Sequence, residues 1–148
     1  MSPAGATPSE ATRREPRRYD DVHVGEELPE LTVPLTRTLI VATAIASRDY
    51  QDVHHDPELA RERGSRDVFM NILSTNGFVG RFVTDWAGPD AVLRRVAIRL
   101  GAPNYPGDSM RMTGVVTAKA DGVVEVAVQG ANSLGDHVSG TVAVSLPR

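Results

Sequence analysis

The chain contains no cysteine. That excludes disulfides, thiolate metal sites and a cysteine nucleophile, and it fits a reducing cytoplasm, where we expect the protein to reside. No apolar run approaches the ~20 residues needed to span a bilayer. Formal net charge is -3, so there is no electrostatic case for nucleic acid or an anionic membrane as partner. There is no HExxH or similar metal-ligand spacing and no internal repeat. No apolar segment follows the basic run Arg13-Arg14-Glu15-Pro16-Arg17-Arg18, so a secretory signal is not expected.

What is present is ordinary for one globular domain: 148 residues, 41% of them hydrophobic, enough to bury a core. Residues 1–18, rich in Pro, Ser, Ala and Arg, are expected to form a solvated, disordered tail; residues 19–148 are expected to form a single domain. The basic run could bind phosphate, but a solvated tail is the simpler reading.

The hydrophobic period divides the domain in two. A strand is expected near Leu31 to Thr38, then a helix from about Leu39 to Ser47 capped by Thr38. Asp56-Pro57 starts a short helix running to Arg63 and stopped by Gly64. The longest helical candidate spans Val68 to Ala87, with Phe69, Ile72, Leu73, Val79, Phe82, Val83 and Trp86 at three- and four-residue spacing. Gly77 and Gly80 cost it about 1 kcal/mol each, which predicts something packed closely against the backbone there. After Pro89 the period becomes 2: Val96-Ile98-Leu100, Met110-Met112-Gly114-Val116, Val124-Val126-Val128 and Val138-Val142-Val144-Leu146 mark four half-buried strands. Asp121-Gly122 and Gly135-Asp136 are hairpin signals. Helices followed by an antiparallel sheet make an α+β fold, with one long helix packed against one curled sheet.

The polar segment Ser47-Arg48-Asp49-Tyr50-Gln51-Asp52-Val53-His54-His55-Asp56-Pro57 carries the chemistry. A carboxylate and an imidazole five positions apart can grip one water from two sides, as hydration of a double bond requires. On spacing alone, other readings stay open. Such a pair also serves turns and caps, and Asp49, His54 and Asp56 could hold a divalent metal weakly. Asp52 and Asp56 suit the turn and the N-cap. His55 and His137 suit the surface and a hairpin. Met110 and Met112 suit core or interface filling.

With its Asp-x-x-x-x-His spacing, the segment resembles the signature of the MaoC-type (R)-specific enoyl-CoA hydratases, roughly Gly-Asp-x-Asn-Pro-(aliphatic)-His. Asp49, Val53 and His54 match it; Arg48, Gln51 and Asp52 stand where the family has Gly, Asn and Pro. Pro103-Asn104-Tyr105-Pro106-Gly107-Asp108 is also similar to a family segment leading into a strand. Longer runs resemble the small MaoC-like subunits of actinobacterial steroid side-chain enoyl-CoA hydratases. These are Arg48 to Asp56, Asn71-Ile72-Leu73, Val83 to Pro89 and Leu134 to Val138. The likeness covers about residues 25–146. It implies a hot-dog fold, with the sheet wrapped around the Val68–Ala87 helix, and Asp49 and His54 as catalytic residues. It implies an oxyanion hole at the backbone N–H of Ile72, where relatives have Gly. Tyr105 could border the acyl pocket as a substrate contact or, with its Pro neighbours, serve a structural loop. The likeness also implies no cofactor and no metal, an acyl-CoA substrate with an unsaturated steroid side chain, and a larger MaoC/DUF35-type partner subunit in an α2β2 heterotetramer. A hot-dog thioesterase, or a non-catalytic subunit completing a partner's pocket, are the rival functions. The first would release free CoA, and the second has no need of both Asp49 and His54.

Overall fold

The computed structural model describes residues 15–148. Of the tail expected over residues 1–18, residues 1–14 lie outside that range.

The alternating segments pair into one antiparallel sheet of five strands: β1 (Leu31–Leu35), β2 (Val92–Leu100), β3 (Asp108–Ala120), β4 (Val123–Asn132) and β5 (Gly135–Ser145), in the order β1-β3-β4-β5-β2. Register follows the apolar pattern. Val33 faces Met110, Val116 faces Val126, and Val126 faces Val142, so one apolar surface runs across the sheet. Met110 and Met112 are fully buried and fill the core. Pro34 is tolerated because β1 is an edge strand. Bulges at Leu93/Arg95 and Val116/Ala118 add twist and help to curl the sheet.

Among the described residues three α-helices accompany it: α1 (Arg37–Ala46), α2 (Pro57–Glu62) and α3 (Ile72–Ala87). α3 is the central helix. Its Val79, Phe82, Val83 and Trp86 join Met112, Val126 and Val142 in the core, each large apolar side chain contributing about 1.5–3 kcal/mol by burial. Gly114 on β3 makes room for it: a Cβ there would lie 2.8 Å from the Phe82 ring. This is the expected α+β hot-dog arrangement. The chain from Arg17 onward packs against the far end of α3, where the Arg17 guanidinium lies 5.0 Å from the Trp86 ring centre.

Four local expectations need correction. Thr36, not Thr38, caps α1, because its side chain accepts the Leu39 N–H at 3.0 Å and leaves Thr38 inside the helix. α3 begins at Ile72 rather than Val68. Phe69 N–H and Met70 N–H bond outward to the carbonyls of Val53 and Asn104 (3.2 and 3.0 Å), so the apolar residues before Asn71 stay outside the helix. Gly80 does meet Leu93 at 3.6 Å, but among the described residues outside its own stretch of helix nothing lies within 4 Å of a Cβ at Gly77. Asn132 pairs with Gly135, so the β4–β5 turn falls at Ser133-Leu134, just before the Gly135-Asp136 signal. Asp121-Gly122, both left-handed at φ 52 and 81, form the β3–β4 turn as expected.

Candidate active site

α1 delivers Asp49. At its C-terminus Arg48 N–H bonds Ile45 O and Asp49 N–H bonds Ala44 O, both at 3.0 Å, with Arg48 left-handed at φ 57. These are the two bonds of a Schellman motif, whose left-handed position usually belongs to glycine. That accounts physically for the Gly of the related signature; here an arginine carries the strain. A single 3-10 turn over Asp52–His54 then brings the imidazole back toward Asp49. Arg63 ties down Asp52 at 2.8 Å. Asp56 caps α2 by accepting the N–H groups of Glu58 and Leu59 at 3.0 and 3.1 Å. His55 is exposed. The turn and cap roles of Asp52 and Asp56 are therefore as expected.

His54 is buried, and its ring meets Phe69 edge-on with centroids 4.9 Å apart. Its Nδ1 lies 2.7 Å from the Phe69 carbonyl, which can only accept, so Nδ1 carries a proton; in the neutral ring the lone pair is then on Nε2. Nε2 faces Asp49 Oδ2 at 3.5 Å. The same Oδ2 accepts a hydrogen bond from Asn71 Nδ2 at 3.0 Å. Asn71 is fixed on every side. Its other amide hydrogen goes to Ser47 Oγ at 3.0 Å, and its Oδ1 caps α3 by accepting Ser74 N–H at 3.0 Å and the Ser74 hydroxyl. The Asn71 amide holds the Asp49 carboxyl below its ordinary pKa, helped by the Gln51 N–H and the nearby imidazole and opposed by burial. Asp49 is thus an ionised acceptor at neutral pH.

Both groups open onto a cavity of about 360 Å³, lined also by Phe69, Ile72, Leu100, Gly101, Pro103 and His137. As the first residue of α3, Ile72 presents an N–H that the helix cannot satisfy, at its positive end. Tyr105 is not part of the lining; it stands one ring further out, edge-on to Phe69 at 6.4 Å. Among the described residues no group of three His, Asp or Glu side chains is placed to hold a metal ion.

Two residues that the sequence reading did not single out, or read differently, belong to this site. Asn71 lay inside an apolar run, and its only signal was Asn three positions before Ser at a helix start. His137 does stand in the β4–β5 hairpin, just past its turn, but it has more than a hairpin role. It is buried on β5, with Nδ1–H bonded to Ala102 O at 2.7 Å and Nε2 accepting from Thr75 Oγ1 at 2.8 Å.

The chain matches the MaoC like domain family over residues 21–138. It is also 51% identical over 123 residues to the 3-oxo-4,17-pregnadiene-20-carboxyl-CoA hydratase beta subunit of Mycobacterium tuberculosis (strain ATCC 25618 / H37Rv), covering 83% of this chain and 95% of that protein. This chain belongs to the MaoC-like family. The MaoC-like fold is also seen in the crystal structure of the ChsH1-ChsH2 complex from Mycobacterium tuberculosis. There TM-score is 0.82 and identity 51%, over 84% of this chain and 98% of the matched one. The unliganded R-hydratase PhaJ1 from Pseudomonas aeruginosa superposes with TM-score 0.78 at 22% identity, over 88% of this MaoC-like chain and 86% of PhaJ1. At that identity the likeness speaks for the fold alone.

Proposed function

We propose that this MaoC-like chain is the catalytic small subunit of an enoyl-CoA hydratase, adding water across the 2,3 double bond of a steroid side-chain thioester. The observation that carries this reading is that Asp49 Oδ2 and His54 Nε2 face each other at 3.5 Å on the cavity wall, and with the imidazole neutral both are hydrogen-bond acceptors. One water that donates an O–H to each satisfies both and turns its own lone pair toward the cavity.

Imidazole is a stronger base than carboxylate, and Asn71 weakens Asp49 further as a base. The proton leaving the water therefore passes to His54 Nε2, while Asp49 orients the water and stabilises the imidazolium beside it. The hydroxide oxygen bonds to the β-carbon, and the π electrons move to the thioester as an enolate. The Ile72 N–H serves the enolate oxygen at the positive end of α3. His54 then returns the proton to the α-carbon from the same face, so water adds syn and both protein groups regain their starting states. Together such acid–base steps contribute typically ~10²–10⁴-fold.

The steroid-CoA substrate is inferred from the relative named as a 3-oxo-4,17-pregnadiene-20-carboxyl-CoA hydratase beta subunit. The larger MaoC/DUF35-type partner, in an α2β2 assembly, accords with the ChsH1-ChsH2 complex. It also accords with half-exposed Ile72, Leu73 and Leu100 near the cavity and with the open edge of β2. We place the enzyme in the cytoplasm; no described helix is long and apolar enough to cross a membrane.

The test follows the conjugated enoyl absorbance of a steroid side-chain enoyl-CoA with this chain, alone and with the partner. Loss of absorbance without thiol release supports hydration. Thiol release with the double bond intact would make the protein a thioesterase, and no change under either condition would sink the proposal.

A further inference from the structure

An acyl-CoA carries its negative charge far from its reacting carbons, and the dyad does nothing for that end. Resting on the enoyl-CoA reading above, we propose that Arg66, held over the ring of Tyr105, binds the diphosphate of the CoA moiety.

A continuous path of rings leads from the dyad to this arginine. His54 meets Phe69 edge-on at 4.9 Å, Phe69 meets Tyr105 edge-on at 6.4 Å, and the Arg66 guanidinium carbon lies 4.3 Å from the centre of the Tyr105 ring. Phe69 lines the catalytic cavity, and so does Pro103, two residues before Tyr105; the path therefore starts at the cavity wall. Laid end to end, the three steps are about equal to the reach of an extended pantetheine arm, and the straight-line distance cannot be longer than they are. That arm is about as long as four or five extended residues, roughly 15 Å.

Arg66, like Arg61 and unlike Arg37 and Arg63, has its charge available, and it is the one of these held over the Tyr105 ring. Arg37 is committed to Asp67 and Arg63 to Asp52. Arg66 is exposed and makes no ion pair among the described residues. Asp108 is near enough for Arg66 to lower its pKa, but that carboxylate already accepts from Ser133 and from the Ser109 N–H. Arg66 also stands on a fixed backbone. Ser65 Oγ bonds Asp67 O at 2.7 Å and lies 3.3 Å from the Tyr105 hydroxyl, and Asp67 takes two hydrogen bonds from Arg37 at 2.7 and 2.8 Å. Arg61 Nε reaches the Arg66 carbonyl at 3.4 Å. A planar guanidinium stacked on a ring and mounted on a braced segment suits two-point capture of phosphate and loses little freedom in doing so. The ring beneath it gives Tyr105 its part in substrate binding: it supports the cation and does not touch the acyl group.

The assembled complex, with Arg66→Gln and Arg63→Gln as variants, is titrated calorimetrically with CoA and with pantetheine, which lacks the phosphates. Arg66→Gln should weaken CoA about tenfold, flatten its salt dependence, and leave pantetheine unchanged; Arg63→Gln should change neither. CoA affinity unaffected by Arg66→Gln, or equal weakening of both ligands, would overturn the proposal. This readout needs no turnover, so a complex that binds CoA through Arg66 but hydrates nothing would refute only the hydratase reading.

Discussion

Two buried histidines line the same cavity, and they share almost everything. His54 and His137 are both nearly inaccessible, and each donates Nδ1–H to a backbone carbonyl at 2.7 Å. They differ at the second nitrogen. Nε2 of His137 is occupied by the Thr75 hydroxyl, which ties β5 and the Gly101-Ala102 segment to α3. Among the described residues, Nε2 of His54 faces the Asp49 carboxylate, which has no proton to give it. Burial and tautomer do not distinguish a structural imidazole from a working one. What distinguishes them is whether the protein supplies a proton donor to the remaining lone pair or leaves that to a solvent molecule.

The strongest way to break the contrast is to remove the carboxylate. Asp49→Asn keeps the shape but loses the charge that orients the water and stabilises the imidazolium; kcat for enoyl-CoA hydration should fall by ~10²–10⁴-fold, measured against an unchanged circular dichroism spectrum. Asn71→Ala should fall between. It frees Asp49 and uncaps α3, so we expect roughly a tenfold loss of kcat together with about 1 kcal/mol of stability in urea denaturation.

His137→Asn should act on stability. An asparagine retains a donor for Ala102 but leaves Thr75 without its partner, at a cost of ~1–2 kcal/mol and a Tm lower by several degrees. Burial lowers the His137 pKa, so the folded protein resists a proton that the unfolded chain accepts. That contribution is complete above the unfolded value of ~6.5 and declines as pH falls below it. The acid loss of Tm between about pH 7 and 5 should therefore be shallower in His137→Asn. The smallest effect belongs to Arg48→Gly. Relief of the left-handed arginine is partly cancelled by the entropy glycine adds to the unfolded chain, leaving a net gain of about 0.5 kcal/mol, readable as a Tm raised by one or two degrees.

The same contrast shows what a sequence carries. Period-2 alternation placed Met110, Met112, Val126 and Val142 on the buried face because strand side chains alternate regardless of context. Asp56-Pro57 marked the start of α2 because cap and proline chemistry are local. Asp49 and His54 were nominated by a spacing that a helix end and one tight turn bring together. The remainder depends on contacts across the fold. Val68, Phe69 and Met70 have helical spacing, yet loops bonded from elsewhere keep them outside the helix. Asn71 works by joining α1 to α3, and His137 by joining β5 to α3, across 22 and 62 positions of chain. Asn71 is announced locally only as a helix cap, and His137 not at all. The strain at Arg48 is similarly silent, since any residue can be written where only the backbone geometry favours glycine.

The most direct measurement compares the two histidines in one assay: the rate of enoyl-CoA hydration by the assembled complex carrying His54→Ala or His137→Asn, each checked for folding. The expected result is a loss of at least a hundredfold for His54→Ala and less than tenfold for His137→Asn. Comparable losses, or an active His54→Ala protein, would contradict the assignment of His54 Nε2 as the group that moves the proton.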